Sequence, residues 1–139
     1  MSEFGTRSYI HRRRVQFYET DVAGIVHFSW FYRYMEEAEH AMWREAGLSI
    51  HPPDSEFGWP RIAATFDFQR PLRFEDEIDV HLRIAEMAAK TIRYECIVKK
   101  DGQQVASGTM TIACVQKKPT MRAVEIPAEI VQRLKGVNV

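Results

Sequence analysis

The sequence predicts an α+β domain: one long helix wrapped by a five-stranded, mainly antiparallel sheet. Three observations carry this. Ser29 to Ala46 repeats its apolar residues at helical spacing. Several later segments alternate apolar and polar residues strictly, as half-buried strands do. The helix and most of the strands also fall in separate runs. They do not alternate as βαβ units would.

The elements follow in chain order. Residues 1–8 are polar and read as a flexible N-terminal tail, leaving 9–139 as a single domain. Tyr9 to Tyr18 reads as a first strand. Its basic run, His11-Arg12-Arg13-Arg14, reads as a solvated strand or sheet edge. In the helix, Phe31, Tyr34, Met35, Ala38 and Met42 form the stripe expected to be buried. Arg33, Glu36, Glu37, His40 and Arg44 fall mostly on the wet side, with Arg33 and Glu37 one turn apart. Gly47 suits a helix C-terminus. Leu48 to Pro60 reads as a loop, because Pro52-Pro53 blocks regular structure.

Arg61 to Arg70 then alternates through Ile62, Ala64, Phe66 and Phe68. Glu77 to Met87 alternates through Ile78, Val80, Leu82 and Ile84. Thr91 to Lys100 alternates through Ile92, Tyr94, Cys96 and Val98. Asp101-Gly102 is a hairpin turn. Gln104 to Gln116 reads as the last strand, with Gly108 marking a bulge or a close approach. Pro127 to Leu134 reads as a short terminal helix.

Lys plus Arg balances Asp plus Glu at 19 each, which argues against a dedicated nucleic-acid or membrane-surface protein. No apolar run is long enough for a membrane span, and the first residues lack a signal-peptide core. Cys96 and Cys114 lie inside strand patterns. They read as free buried thiols in a reducing compartment, so cytoplasmic residence is expected. No Cys or His spacing suggests a metal site.

Chemistry concentrates in Tyr18-Glu19-Thr20-Asp21-Val22-Ala23-Gly24-Ile25-Val26-His27-Phe28. Asp21 falls in a turn just ahead of the helix, and Gly24 permits a sharp bend there. The first amides of a helix lack internal acceptors and lie at its positive end. A carboxylate and free N–H donors are thus expected close together. Hydrolysis of a thioester needs that pair: a base or nucleophile, and donors for the oxyanion. On spacing alone, Asp21 reads more readily as a turn or cap residue than as a catalytic one.

The segment resembles the Asp-x-x-Gly-x-Val signature of the 4-hydroxybenzoyl-CoA thioesterase family of the hot-dog fold. It is most similar to the small bacterial acyl-CoA thioesterases associated with the Tol–Pal cluster. The resemblance runs from about Tyr9 to Val115. It includes Arg33, Tyr34, Glu36 and Gly47, and Arg70-Pro71-Leu72-Arg73-Phe74-Glu75-Asp76. It implies a helix wrapped by one sheet, and a homodimer or homotetramer with a continuous sheet. Its substrate is an acyl-CoA, so coenzyme A is part of the substrate and no separate cofactor is implied.

Asp21 matches the catalytic carboxylate, acting as nucleophile or general base, and the Phe28 backbone N–H matches the oxyanion donor. Gly24 would give the turn its shape, and His27 is a further candidate. Many relatives have tyrosine in place of His27 and asparagine in place of Trp30. Trp30 and Phe31 are therefore candidates to line the acyl pocket, with Trp59 a further aromatic. Arg70, Arg73, Lys90, Lys99 and Lys100 are candidate partners for the phosphates of coenzyme A. Two other functions fit the same residues. Asp21 with His27 resembles the pair a hot-dog enoyl-thioester hydratase or dehydratase uses. A non-catalytic acyl-CoA binding module would need only the pocket.

Overall fold

The computed structural model describes residues 7–138; residues 1–6, and with them most of the expected tail, lie outside the described residues. The chain runs β1 (Tyr9–Arg14), a 3-10 turn (Phe17–Glu19), α1 (Ser29–Glu45), β2 (Phe57–Gly58) and β3 (Arg61–Phe68). It continues through β4 (Glu77–Met87), β5 (Thr91–Lys100), β6 (Gln103–Ala113), β7 (Val115–Gln116), β8 (Arg122–Ala123) and α2 (Ala128–Asn138). Five strands form one antiparallel sheet in the order β1-β4-β5-β6-β3. The expected α+β plan, one long helix against a five-stranded sheet, is the observed one.

The alternation of the central strands becomes the core. Ile78, Val80, Leu82 and Ile84 of β4 are buried beside Ile92, Tyr94, Cys96 and Val98 of β5. Phe31, Tyr34, Met35, Ala38 and Met42 of α1 are buried in the same cluster, as the helical spacing predicts. The helix buries more than that stripe, adding Glu39, Ala41 and Trp43. Full burial of a large apolar side chain is worth about 1.5–3 kcal/mol, so packing holds α1 in place more than helix propensity does.

The punctuation residues act as expected. Gly47 has φ 78°. The Leu48 N–H donates to Trp43 O at 2.8 Å and the Gly47 N–H to Arg44 O at 2.9 Å, which closes the helix in a Schellman motif. Asp101 and Gly102 have φ 50° and 77°, the pair of positive values that a tight hairpin of matched twist requires. Gly108 is a close approach: a Cβ there would lie 2.3 Å from Thr65 O and 2.8 Å from the Phe66 ring.

Four features differ from expectation, three of them boundaries. The first strand ends at Arg14, not Tyr18. Glu19 turns back to accept the Gln16 N–H at 3.0 Å and winds Phe17–Glu19 into a 3-10 turn. The last strand splits, because the Cys114 N–H leaves the ladder for Lys90 O at 2.8 Å. Val115–Gln116 then pairs with β2, inside the expected loop, and with β8. α2 runs on to Asn138.

The fourth difference matters most. Alternation in Arg61 to Arg70 predicts a half-buried strand, yet Ile62 is 59% and Phe68 47% exposed. β3 is an edge strand, paired among the described residues only with β6, and the register slips between Arg61 and Ala63. β1 is the other edge. Its period of two sends Arg12 and Arg14 outward to Asp79 and Glu77, while Arg13 turns inward with only 13% of its side chain exposed.

Candidate active site

The segment between the 3-10 turn and α1 is a tight turn closed by a bridge between Thr20 and Val26. The Asp21 N–H donates to Ile25 O at 2.9 Å, and the Gly24 N–H to Asp21 O at 2.9 Å. Gly24 sits at φ 79°, which a side chain would strain. The Ala23 N–H donates to Asp21 Oδ1 at 2.9 Å. Among the described residues nothing donates to Oδ2. Asp21 therefore has one oxygen fixed by the turn and one available.

Phe28 is the N-cap of α1, with no side-chain cap. The Ser29 N–H turns to His27 Nδ1 at 3.3 Å, and the Trp30 N–H to His27 O at 3.0 Å. Among the described residues no acceptor is bonded to the Phe28 N–H. This donor lies at the positive end of a 17-residue helix.

Asp21, Phe28 and Phe31 line one cleft of about 510 Å³. Its other walls include Val26, Phe68, Arg70 and Leu72. Phe31 meets Phe68 edge to face at 5.0 Å between ring centroids. A mostly apolar cleft whose lining residues carry one carboxylate, one guanidinium and, on Phe28, an unbonded N–H is of a kind that can seat an acyl group.

Most of the other candidates lie elsewhere. Gly24, His27 and Trp30 are not cleft-lining residues. His27 Nδ1 lies 2.8 Å from Ser29 Oγ, with its ring 4.6 Å from that of Phe28. Trp30 sits on the other side of the helix start, 5.5 Å from Tyr18 between centroids, with the Arg33 guanidinium 4.8 Å over its ring. Trp59 packs edge-on against Trp43 at 5.0 Å. Among the candidate cations, Arg70 lines the cleft, and Arg73 Nη1 comes within 3.9 Å of where a Gly24 Cβ would be. Lys100 pairs with Asp76 at 3.0 Å. No group of three His, Cys, Asp or Glu among the described residues is placed to hold a metal ion.

One residue that sequence reasoning missed stands directly behind the turn. Glu19 is fully buried. Its carboxylate accepts two bonds from Arg13, both 2.7 Å, one from the Tyr34 hydroxyl at 2.6 Å and one from the Gln16 N–H at 3.0 Å. Burial pushes its carboxyl pKa up, and these donors together outweigh burial, so it lies below the usual carboxylate value. Burial and the hydrogen bond to Glu19 push the Tyr34 hydroxyl far up, so it stays a donor. The available signal was an acid six residues after the inward-facing arginine of an alternating strand.

Residues 15–134 match the thioesterase-like superfamily. The chain belongs to that superfamily. It is accordingly a thioester hydrolase. A protein of Aquifex aeolicus named "Putative esterase" is 37% identical over 128 residues, covering 91% of this chain and 98% of its own. A 1,4-dihydroxy-2-naphthoyl-CoA hydrolase of Synechococcus elongatus is 25% identical over 118 residues, 83% of this chain and 87% of its own. The crystal structure of a hypothetical protein from Aquifex aeolicus superposes with a TM-score of 0.86 at 35% identity, covering 91% of this chain and 99% of that one. The fold of this thioesterase-like chain is thus the hot-dog arrangement seen in its structural relatives.

Proposed function

We propose that this protein hydrolyses acyl-CoA thioesters to a free carboxylic acid and CoA, with Asp21 and the Phe28 N–H as its working pair. What supports this reading is that Asp21 and Phe28 line the same cleft, and that among the described residues one Asp21 oxygen and the Phe28 N–H are left unbonded. The Phe28 N–H donates to the thioester carbonyl oxygen as it becomes an oxyanion. Asp21 then acts in one of two ways. Its carboxylate attacks the carbonyl carbon and expels CoA thiolate, leaving a mixed anhydride that water opens. Alternatively, it takes a proton from a water that attacks directly. In both routes the water that is consumed supplies the proton that turns the thiolate into CoA, and the acid is left free.

The acyl group we propose is aromatic. Phe28, Phe31 and Phe68 offer ring faces and edges along the cleft, a geometry that suits a flat ring. The naphthoyl-CoA hydrolase named above supports the same choice. Arg70 stands at the wall to meet a phenolic oxygen or a phosphate of CoA.

The experiment is thiol release from a panel of aryl, short-chain and long-chain acyl-CoAs. Aryl substrates should give the highest kcat/KM. Absence of release from every thioester, despite binding, would instead support a non-catalytic module. Water addition to an enoyl-CoA would support a hydratase, but His27 lies outside the cleft such a pair would share.

We also propose a homo-oligomer that pairs through β3, the edge whose Ile62 and Phe68 are exposed. The free thiols of Cys96 and Cys114 suit a reducing cytoplasm. The finer affiliation, with the Tol–Pal-associated branch, rests on the motif resemblance alone.

A further inference from the structure

We infer that Glu19 is a positioning residue for hydrolysis: its buried carboxylate sets the placement of Asp21 against the Phe28 N–H. This rests on the proposed roles of those two groups. The turn that carries Asp21 stands out from the protein, with Asp21, Val22, Ala23 and Gly24 all exposed. Apart from Arg73, whose Nη1 comes within 3.9 Å of the place of a Gly24 Cβ, little among the described residues braces its tip, so its geometry depends on its two stems.

Both stems meet at Glu19. The incoming stem is held by the Glu19 side chain. Arg13 grips it from β1 with two bonds of 2.7 Å, and Tyr34 reaches it from α1 at 2.6 Å. Arg13 is itself steadied from α1, with its Nε 2.8 Å from Glu37 and its guanidinium 4.5 Å over the Tyr34 ring. His11, next along the same face of β1, lies 3.7 Å from Glu37. The outgoing stem is held by the Glu19 backbone, whose carbonyl accepts the His27 N–H at 2.9 Å. That bond is one residue before the Phe28 donor. Val26, just ahead of it, is buried and donates its N–H to Leu72 O at 2.8 Å.

One residue thus touches the first strand, the helix and both ends of the catalytic turn. A planar carboxylate met by a guanidinium fork and a hydroxyl has few alternative orientations. Small errors in such placement cost a reaction rate far more than they cost binding.

The experiment is a double-mutant cycle on thiol release, using the full chain with its melting temperature recorded. Glu19→Gln keeps the size and removes the charge. We expect it to lower kcat by about 10–100-fold with KM within about threefold, a misplacement effect. In the Asp21→Asn background, Glu19→Gln should lower the residual rate by less than about threefold, because the group it positions is gone. A purely structural loss would lower both backgrounds by the same factor, and that result overturns the inference. So does a wild-type kcat in Glu19→Gln while Asp21→Asn is inactive. Wild-type activity in Asp21→Asn would overturn the catalytic reading as well. Should Glu19→Gln fail to fold, Tyr34→Phe takes its place in the cycle. It removes one hydroxyl, leaves the Arg13 pair intact, and is held to the same criteria.

Discussion

Asp21→Asn keeps the side chain's shape, and the amide oxygen can still accept the Ala23 N–H that shapes the turn. What it removes is the charge. Activity should therefore fall by about 10²–10⁴-fold, the span of general-base assistance, or further for a nucleophile. The melting temperature should hardly move. Thiol release from the purified variant within about threefold of wild type, well short of that span, sinks the assignment. Glu19 makes a prediction of another kind. A carboxyl held below its unfolded pKa stabilises the fold above the ordinary carboxylate value, 4.5, and loses that contribution as pH falls through its lower native value. The melting-temperature gap between wild type and Glu19→Gln should be widest near neutrality and narrow steadily below that value. A gap independent of pH would show that the charge of Glu19 stabilises nothing.

Single elements decide where the cleft can form. β3 supplies Phe68 to the cleft and lies against β6 through Gly108. A methyl group there meets the Thr65 carbonyl at 2.3 Å, a backbone atom that cannot swing aside. Gly108→Ala should destabilise by about 2–3 kcal/mol through overpacking. That corresponds to a fall of roughly 6–12 °C in melting temperature for a domain of this size. Calorimetry showing no shift would mean the two strands lie further apart than described. Phe68→Ala tests the cleft rather than the fold, because Phe68 is half exposed. It should raise KM for aryl-CoA more than for short-chain acyl-CoA. An unchanged preference would remove Phe68 from substrate contact. Trp30→Asn, by contrast, should leave the preference alone if the acyl group stays within the cleft described, since Trp30 does not line it.

At the scale of the whole molecule the two sheet edges are unlike. β1 guards its edge with outward Arg12 and Arg14, the charged protection that open strands commonly carry. β3 exposes Ile62 and Phe68, with Asp67 as its exposed charge. Light scattering at micromolar protein should therefore report a mass of at least twice 16.2 kDa. Ile62→Lys should shift the population toward monomer. A wild-type protein that stays monomeric would overturn the pairing through β3.

The period of apolar residues was enough to fix the helix, its buried stripe and the two central strands, because those signals depend only on local geometry and on which side faces the core. Turn chemistry likewise placed Gly47 and Asp101-Gly102, where backbone φ is a property of one or two residues. The same alternation misjudged Arg61 to Arg70. An edge strand and a central strand share a pattern, and only strand order tells which one is covered. The candidate site divided in the same way. Asp21 is readable as a carboxylate in a turn ahead of a helix, Phe28 as a candidate only through the family resemblance, and Phe31 from its place on the apolar face. Trp30, one residue away, points to another side of the helix. Glu19 was hidden because its meaning depends on Arg13 and Tyr34, six and fifteen residues away. A buried charge is defined by its partners, and those partners are set by the fold.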